Sequence, residues 1–120
     1  MENYKLVLPG DLNQNGNLYG GNLLKWLDEY AWIAATLDYP GSSFVTVALD
    51  KVAFKKGVNK GAILKFKIEK SEEGNTSVQY LVNVYCQNNC NPDNELIFST
   101  HITFVNIDKQ GNKRSLKSLI

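Results

Sequence analysis

From about Gly21 to Asp38 the apolar residues fall at Leu23, Leu27, Tyr30, Ala31, Ala34 and Leu37. That spacing marks one face of a helix. "YPGSS" follows, and Pro40-Gly41 predicts the stop. Beyond it the period falls to two. "FVTVALDKVAF" (44–54) reads as a strand, and so does "AILKFKIEKS" (62–71), where Leu64, Phe66 and Ile68 alternate with Lys65, Lys67 and Glu69. "TSVQYLVNVYC" (76–86) and "ELIFSTHITFVNID" (95–108) complete the set, separated by the polar turns "EEGN" and "NNCNPDN". Ahead of the helix, "YKLVL" (4–8) predicts a short strand ended by Pro9-Gly10, and residues 11–19 a polar loop.

The order is strand, helix, then four strands joined by short turns. Short turns favour antiparallel neighbours. A single long helix can bury its apolar stripe only against the concave face of such a sheet. The expectation is an α+β hot-dog fold, with one helix wrapped by about five antiparallel strands. Its 120 residues suit one domain spanning 1–120.

Charge removes several function classes. Thirteen basic residues against twelve acidic give a net charge of +1, which offers no electrostatic basis for nucleic acid as a partner. No apolar run approaches membrane-spanning length, so no membrane insertion is expected. "MENYKLVLPGD" lacks the basic start and apolar run of a secretion signal, which points to the cytoplasm. In that compartment Cys86 and Cys90 are expected as free thiols. Their spacing does not suit zinc, and His101 is the only histidine, so no metal is expected. His101 lies inside the last strand, where a structural role is expected.

The helix carries one acid in an unusual place. At about 100° per residue, with Leu23 at zero, Leu27, Tyr30 and Ala34 fall within roughly 40°. Lys25, Glu29 and Thr36 fall on the far side, at about 200–240°. Asp28 falls at about 140°, between Ala35 and Trp32 on the shoulder of the apolar face. Such a position suits either a hydrated boundary residue or a partly desolvated, rigidly held carboxylate able to act as base or nucleophile. Two neighbours favour the second. Gly20-Gly21 opens the helix, where bare N–H groups at the positive end of the dipole can meet a thioester or ester carbonyl. Asn13, in the loop before, is a turn former that can also hold a water or the substrate carbonyl.

"LPGDLNQNGNLYGGNLLKWLDEYAWIAA" resembles the signature of the YciA-like acyl-CoA hydrolases, through Asp11, Asn13, Gly16, Tyr19, Gly20, Gly21 and Asp28. The resemblance continues through Thr46, Asp50 and Phe54, through Gly74, Thr76 and Ser77, and through "TFVNIDKQGN". It implies a hot-dog acyl-CoA thioesterase with no cofactor beyond the coenzyme A of its substrate. It also implies Asp28 as catalytic carboxylate and Asn13 as its partner from another subunit of a dimer. The Gly20 and Gly21 amides become oxyanion donors, with Thr46, Gly74, Thr76 and Ser77 as substrate-site candidates. A homo-oligomer built from dimers, a hexamer, is the implied assembly. The sequence departs from the pattern at Gly57, where proline is usual, at Ala62, where an acid is usual, and at Asn75, where a basic or imidazole residue is common. These changes bear on CoA affinity and substrate range.

Thioester hydrolysis suits this sparse set. A thiolate with a conjugate acid near about 8.5 leaves at neutral pH without strong acid catalysis. Lys55, Lys56 and Lys60 are candidates for the CoA phosphates, which need positive charge but no fixed motif. Two rivals predict other outcomes: a non-hydrolytic acyl-CoA-binding or regulatory module binds without cleaving, and a scaffold subunit does not bind at all.

Overall fold

The structure, a computed structural model, describes residues 1–50, 54, 56–90 and 92–119. It holds β1 (Glu2–Leu6), α1 (Gly20–Asp38), β2 (Phe44–Leu49), β3 (Ile63–Glu73), β4 (Ser77–Cys86) and β5 (Glu95–Asn106), with short 3-10 turns at Pro9–Asp11 and Leu116–Leu119. The strands form one sheet in the order β1-β3-β4-β5-β2, with every neighbour antiparallel. This is the hot-dog arrangement that the period-two strands and the single long helix predict.

The core follows from alternation. Leu64, Phe66 and Ile68 of β3, Val78, Tyr80, Val82 and Val84 of β4, and Phe98, Ile102 and Phe104 of β5 are all buried. Lys65, Lys67 and Asn83 between them are not. The helix lays Leu23, Leu27, Ala31, Ala34 and Ala35 into that surface. Complete burial of Leu27 stabilises by about 1.5–3 kcal/mol. Tyr30 packs edge-on against Phe66 of β3, with ring centroids 5.0 Å apart.

Three expectations are corrected. Leu37, placed on the apolar stripe by its spacing, is 68% exposed. Trp26 is buried instead, with Lys5 Nζ 5.1 Å from its ring centroid, so the stripe is wider on that side. The strand expected over 44–54 stops at Leu49, and residues 51–53 lie outside those described. Cys86 and Cys90 are joined as a disulfide rather than free. The bend after β4 holds their Cα atoms 6.3 Å apart, within the span a disulfide bridges.

The edges matter for function. β2 pairs with β5 on one side and forms one margin of the sheet. Its pairing shifts register between Thr46 and Ala48, and such a bulge re-aims the side chains around it. Beyond Phe44 every residue of β2 is exposed, among them Val45, Val47 and Leu49. An apolar edge strand of this kind is a template for pairing with another chain.

Candidate active site

The loop before the helix is built by asparagine. Asn13 Oδ1 accepts the backbone N–H of Asn15 at 2.9 Å and that of Asn17 at 3.2 Å. Gly16 takes a left-handed φ of 81°, which glycine adopts without strain. The turn-forming role of Asn13 is therefore real, and it consumes the carbonyl end of the amide. No described residue accepts from the Nδ2 end. The loop is then tied to the helix: Asp11 accepts at its backbone O from the Tyr19 N–H at 2.9 Å and from Asn22 Nδ2 at 3.1 Å.

Tyr19 stands at the N-cap with no side-chain cap, and its carbonyl takes the N–H groups of Asn22 and Leu23. The first-turn amides of Gly20 and Gly21 are the donors a helix leaves over. At both positions a side chain would displace a neighbouring ring. A Cβ on Gly20 would lie 2.8 Å from the Phe54 ring, and one on Gly21 2.6 Å from the Tyr19 ring. Beside Gly20 opens a cavity of about 590 Å³, lined by Asn13, Asn17, Tyr19, Gly20, Phe54 and Lys56 over an apolar floor of Leu23, Val58 and Ile97.

Asp28 sits elsewhere. It is half-buried in the middle of α1, about 12 Å along the axis from Gly20. Thr46 Oγ1 donates to Asp28 Oδ1 at 2.6 Å. No described residue hydrogen-bonds Oδ2. Trp32, one turn on, donates from Nε1 to the Phe44 carbonyl at 3.2 Å, so two contacts hold this face of the helix to β2. Asp28 is thus a fixed carboxylate at the exposed margin of the sheet, and it does not line the Asn13–Gly20 cavity of its own chain.

The remaining candidates divide further. Gly74 and Ser77 line a separate hollow of about 260 Å³ at the β3–β4 turn. There the Ser77 carbonyl accepts the Gly74 N–H at 2.8 Å, and the Thr76 carbonyl accepts from Asn106. Lys56 Nζ lies 2.5 Å from Glu95 Oε2, so its charge already has a partner at the cavity rim. Lys60 is exposed in the turn before β3; Lys55 lies outside the described residues. His101 Nδ1 meets Asp50 Oδ2 at 2.6 Å, a pair that sequence order concealed because it joins β5 to the end of β2.

The departures have local reasons. A Cβ on Gly57 would come within 2.7 Å of Asn17 Oδ1, so a larger residue there displaces the Asn17 side chain. Ala62 is fully buried, where an acid would lose its hydration. Asn75 accepts at Oδ1 from the Ser115 hydroxyl at 3.1 Å and anchors the tail.

The family model for the thioesterase superfamily matches residues 15–90. The chain belongs to the thioesterase superfamily. It is 28% identical over 116 residues to acyl-coenzyme A thioesterase 11 of Mus musculus, an alignment covering 97% of this chain and 19% of that protein; the chain spans about a fifth of that relative's length. Among solved structures it resembles the acyl-CoA hydrolase of Staphylococcus aureus in complex with butyryl coenzyme A, coenzyme A and coenzyme A disulfide. The TM-score is 0.84 and the identity 29%, over 96% of this chain and 70% of that one. Variants of that hydrolase have been solved with alanine replacing an aspartate, an asparagine and a threonine. It resembles equally a hexameric hot-dog thioesterase of Campylobacter jejuni, with a TM-score of 0.81 and 29% identity over 97% of this chain and 92% of that one.

Proposed function

We propose that the chain hydrolyses acyl-CoA thioesters, at a site completed between two subunits. The observation that carries this reading is the position of Asp28. Its carboxylate is held by Thr46 of β2, and β2 is an edge strand with an exposed apolar side. A second copy pairing along that edge brings its own loop and helix N-terminus towards Asp28. Asn13 and the Gly20 amide, which the chain keeps away from its own Asp28, then face the partner's acid. The asparagine and aspartate replaced in the S. aureus variants stand as far apart in sequence as Asn13 and Asp28 do, which supports the pairing.

In this site the thioester carbonyl oxygen accepts from the leftover Gly20 and Gly21 amides at the positive end of α1. Asn13 Nδ2 supplies a further donor. Asp28, its Oδ1 fixed by Thr46, presents Oδ2 either to a water that it deprotonates or to the carbonyl carbon itself. The C–S bond breaks with the electron pair leaving on sulfur. Lys56, at the cavity rim, and Lys60, exposed in the turn before β3, are the described candidates for the CoA phosphates. The functional unit is a homo-oligomer assembled from dimers, as a hexamer.

Release of free thiol from a panel of acyl-CoAs of graded chain length measures this activity. Turnover that rises above the uncatalysed rate and falls with Asp28→Asn supports it. Tight acyl-CoA binding without thiol release assigns a binding module instead.

A further inference from the structure

A second cavity of about 440 Å³ adjoins the first, sharing Lys56, Gly57, Val58 and Ile97 with it. Its wall carries both Cys86 and Cys90, with Asn59 and Asn89 beside them. The two sulfurs differ in access: Cys86 is 1% exposed, whereas Cys90 is only partly buried. A disulfide that lines a cavity through one buried and one partly exposed cysteine differs from one sealed in a core. It also closes a ring with just three residues between the cysteines, where the entropic gain from cross-linking is small, so stabilisation is a weak reason for it.

We propose that this cavity is a thiol–disulfide exchange site, at which a low-molecular-weight thiol forms a mixed disulfide with Cys90. The thiolate attacks Cys90 Sγ. A sulfur–sulfur bond forms between the incoming thiol and Cys90, the Cys86–Cys90 bond breaks, and its electron pair leaves on Cys86 Sγ, which takes up a proton. One thiol and one disulfide give one thiol and one disulfide, so no external oxidant or reductant enters. The Asn88 carbonyl lies 3.4 Å from Cys86 Sγ and 2.9 Å from Cys90 Sγ, so it can accept from whichever thiol is formed. In reverse, Cys86 attacks Cys90 and expels the bound thiol, acting as the resolving cysteine.

The surrounding bonds give exchange a route to the neighbouring cavity. Asn88 Oδ1 accepts the Ile63 N–H at 2.7 Å, and Asn89 Nδ2 donates to the Lys60 carbonyl at 3.1 Å. Asn89 itself takes a left-handed φ of 57°, a conformation unusual for a residue other than glycine. Opening the Cys86–Cys90 ring frees this bend, which is bonded to Lys60 and Ile63, just beyond the Lys56–Val58 wall that both cavities share. The inference does not depend on thioester hydrolysis; coenzyme A and glutathione are both thiols of the required class.

The oxidised protein is incubated separately with coenzyme A, glutathione and 2-mercaptoethanol, quenched in acid, alkylated and mapped by peptide mass. The expected result is the mass of the added thiol on Cys90 and the alkyl group on Cys86. An adduct on Cys86, an equal division between the two, or an intact disulfide in all three arms overturns the proposal. So does a purified protein whose two thiols stay unjoined after mild oxidation. Because Cys86→Ser puts a hydroxyl into the core, two single variants serve as a second measurement. Cys86→Ser should take one equivalent of thiol from oxidised glutathione, and Cys90→Ser none until unfolded in guanidinium; the opposite pattern is equally fatal.

Discussion

The Thr46 hydroxyl donates to the Asp28 carboxylate across 2.6 Å, joining the middle of α1 to the margin of the sheet. The bulge in β2 lies directly after Thr46, so the strand irregularity and the aim of this hydroxyl belong together. A carboxylate tethered through one oxygen keeps its rotamer while the other oxygen stays available. If that tether positions the acid, Thr46→Val should lower kcat by roughly 10- to 100-fold, the range for losing a hydrogen bond to a charged group, with KM little changed. Thr46→Ser retains the donor and should recover most of the rate. Equal defects in both variants would reduce Thr46 to a packing residue.

For Asp28→Asn, the side chain keeps its volume and can still accept from Thr46, but it is neither base nor nucleophile. Acyl-CoA turnover should fall by about 10²-fold or more, the usual contribution of a positioned general base. The thermal midpoint should hold, because Asp28 has no second partner among the described residues. Near-normal turnover would mean that another group performs the chemistry.

Gly20→Ala probes the cavity mouth. The added methyl meets the Phe54 ring at 2.8 Å. Phe54 is 49% exposed, so its ring can swing away, and alanine also favours helix by up to about 1 kcal/mol over glycine. Stability should thus change little while KM for acyl-CoA rises, because the displaced ring narrows the cavity. Phe54→Ala in the same chain should remove the KM defect caused by the methyl. Unchanged KM in Gly20→Ala would separate this cavity from substrate binding.

Tyr80 offers a test of stability remote from the chemistry. It is buried, and its hydroxyl donates to Asp38 Oδ2 at 2.7 Å. Burial first, and then the Asp38 carboxylate, push its pKa well above the usual tyrosine value. A raised folded-state pKa contributes stability that is complete below the unfolded value, near about 10, and is lost as pH climbs beyond it. Stability should therefore decline above roughly pH 10 in wild type and less steeply in Tyr80→Phe. At neutral pH the variant should lose about 0.5–1.5 kcal/mol, the net worth of one hydrogen bond, because Asp38 is exposed and water replaces the hydroxyl. Denaturant melts at neutral and alkaline pH measure both, and parallel alkaline slopes would exclude Tyr80 as the cause.

The fold was legible because its two periods are clean. Leu23 through Ala34 repeat at helical spacing, and Leu64, Phe66 and Ile68 alternate with charge, so helix and strands follow from burial alone. Leu37 shares the helical spacing yet is exposed, because periodicity does not report which turns of a helix the rest of the chain covers. The disulfide was hidden because composition indicates a compartment and not the local bend that brings Cys86 to Cys90. The shoulder position of Asp28 was visible on a helical wheel, but its Thr46 partner depended on the order of strands, which brings β2 to the margin beside β5. For Asn13 the sequence offers both a turn-forming and a site role; its Oδ1 accepts the two turn hydrogen bonds, which leaves Nδ2 as the end a site role would use.

That division sharpens the decisive experiment on the shared site. Asn13→Ala would remove the acceptor that both the Asn15 and Asn17 amides use, and so would confuse a broken loop with a lost donor. Asn13→Asp keeps the acceptor and replaces the Nδ2 donor with a charged oxygen. Asn13→Asp and Asp28→Asn should each impair a homo-oligomer severely. Mixed by denaturation and refolding, they form dimers in which one site carries both lesions and the other none. Turnover should then return to as much as roughly half of wild type per mixed dimer, if isologous pairing gives two independent sites. A site contained within one chain cannot recover, since every chain retains its own lesion. Mass spectrometry of the intact assembly verifies that subunits have exchanged; exchange without recovery would place the reaction within a single subunit and leave the asparagine loop as turn chemistry.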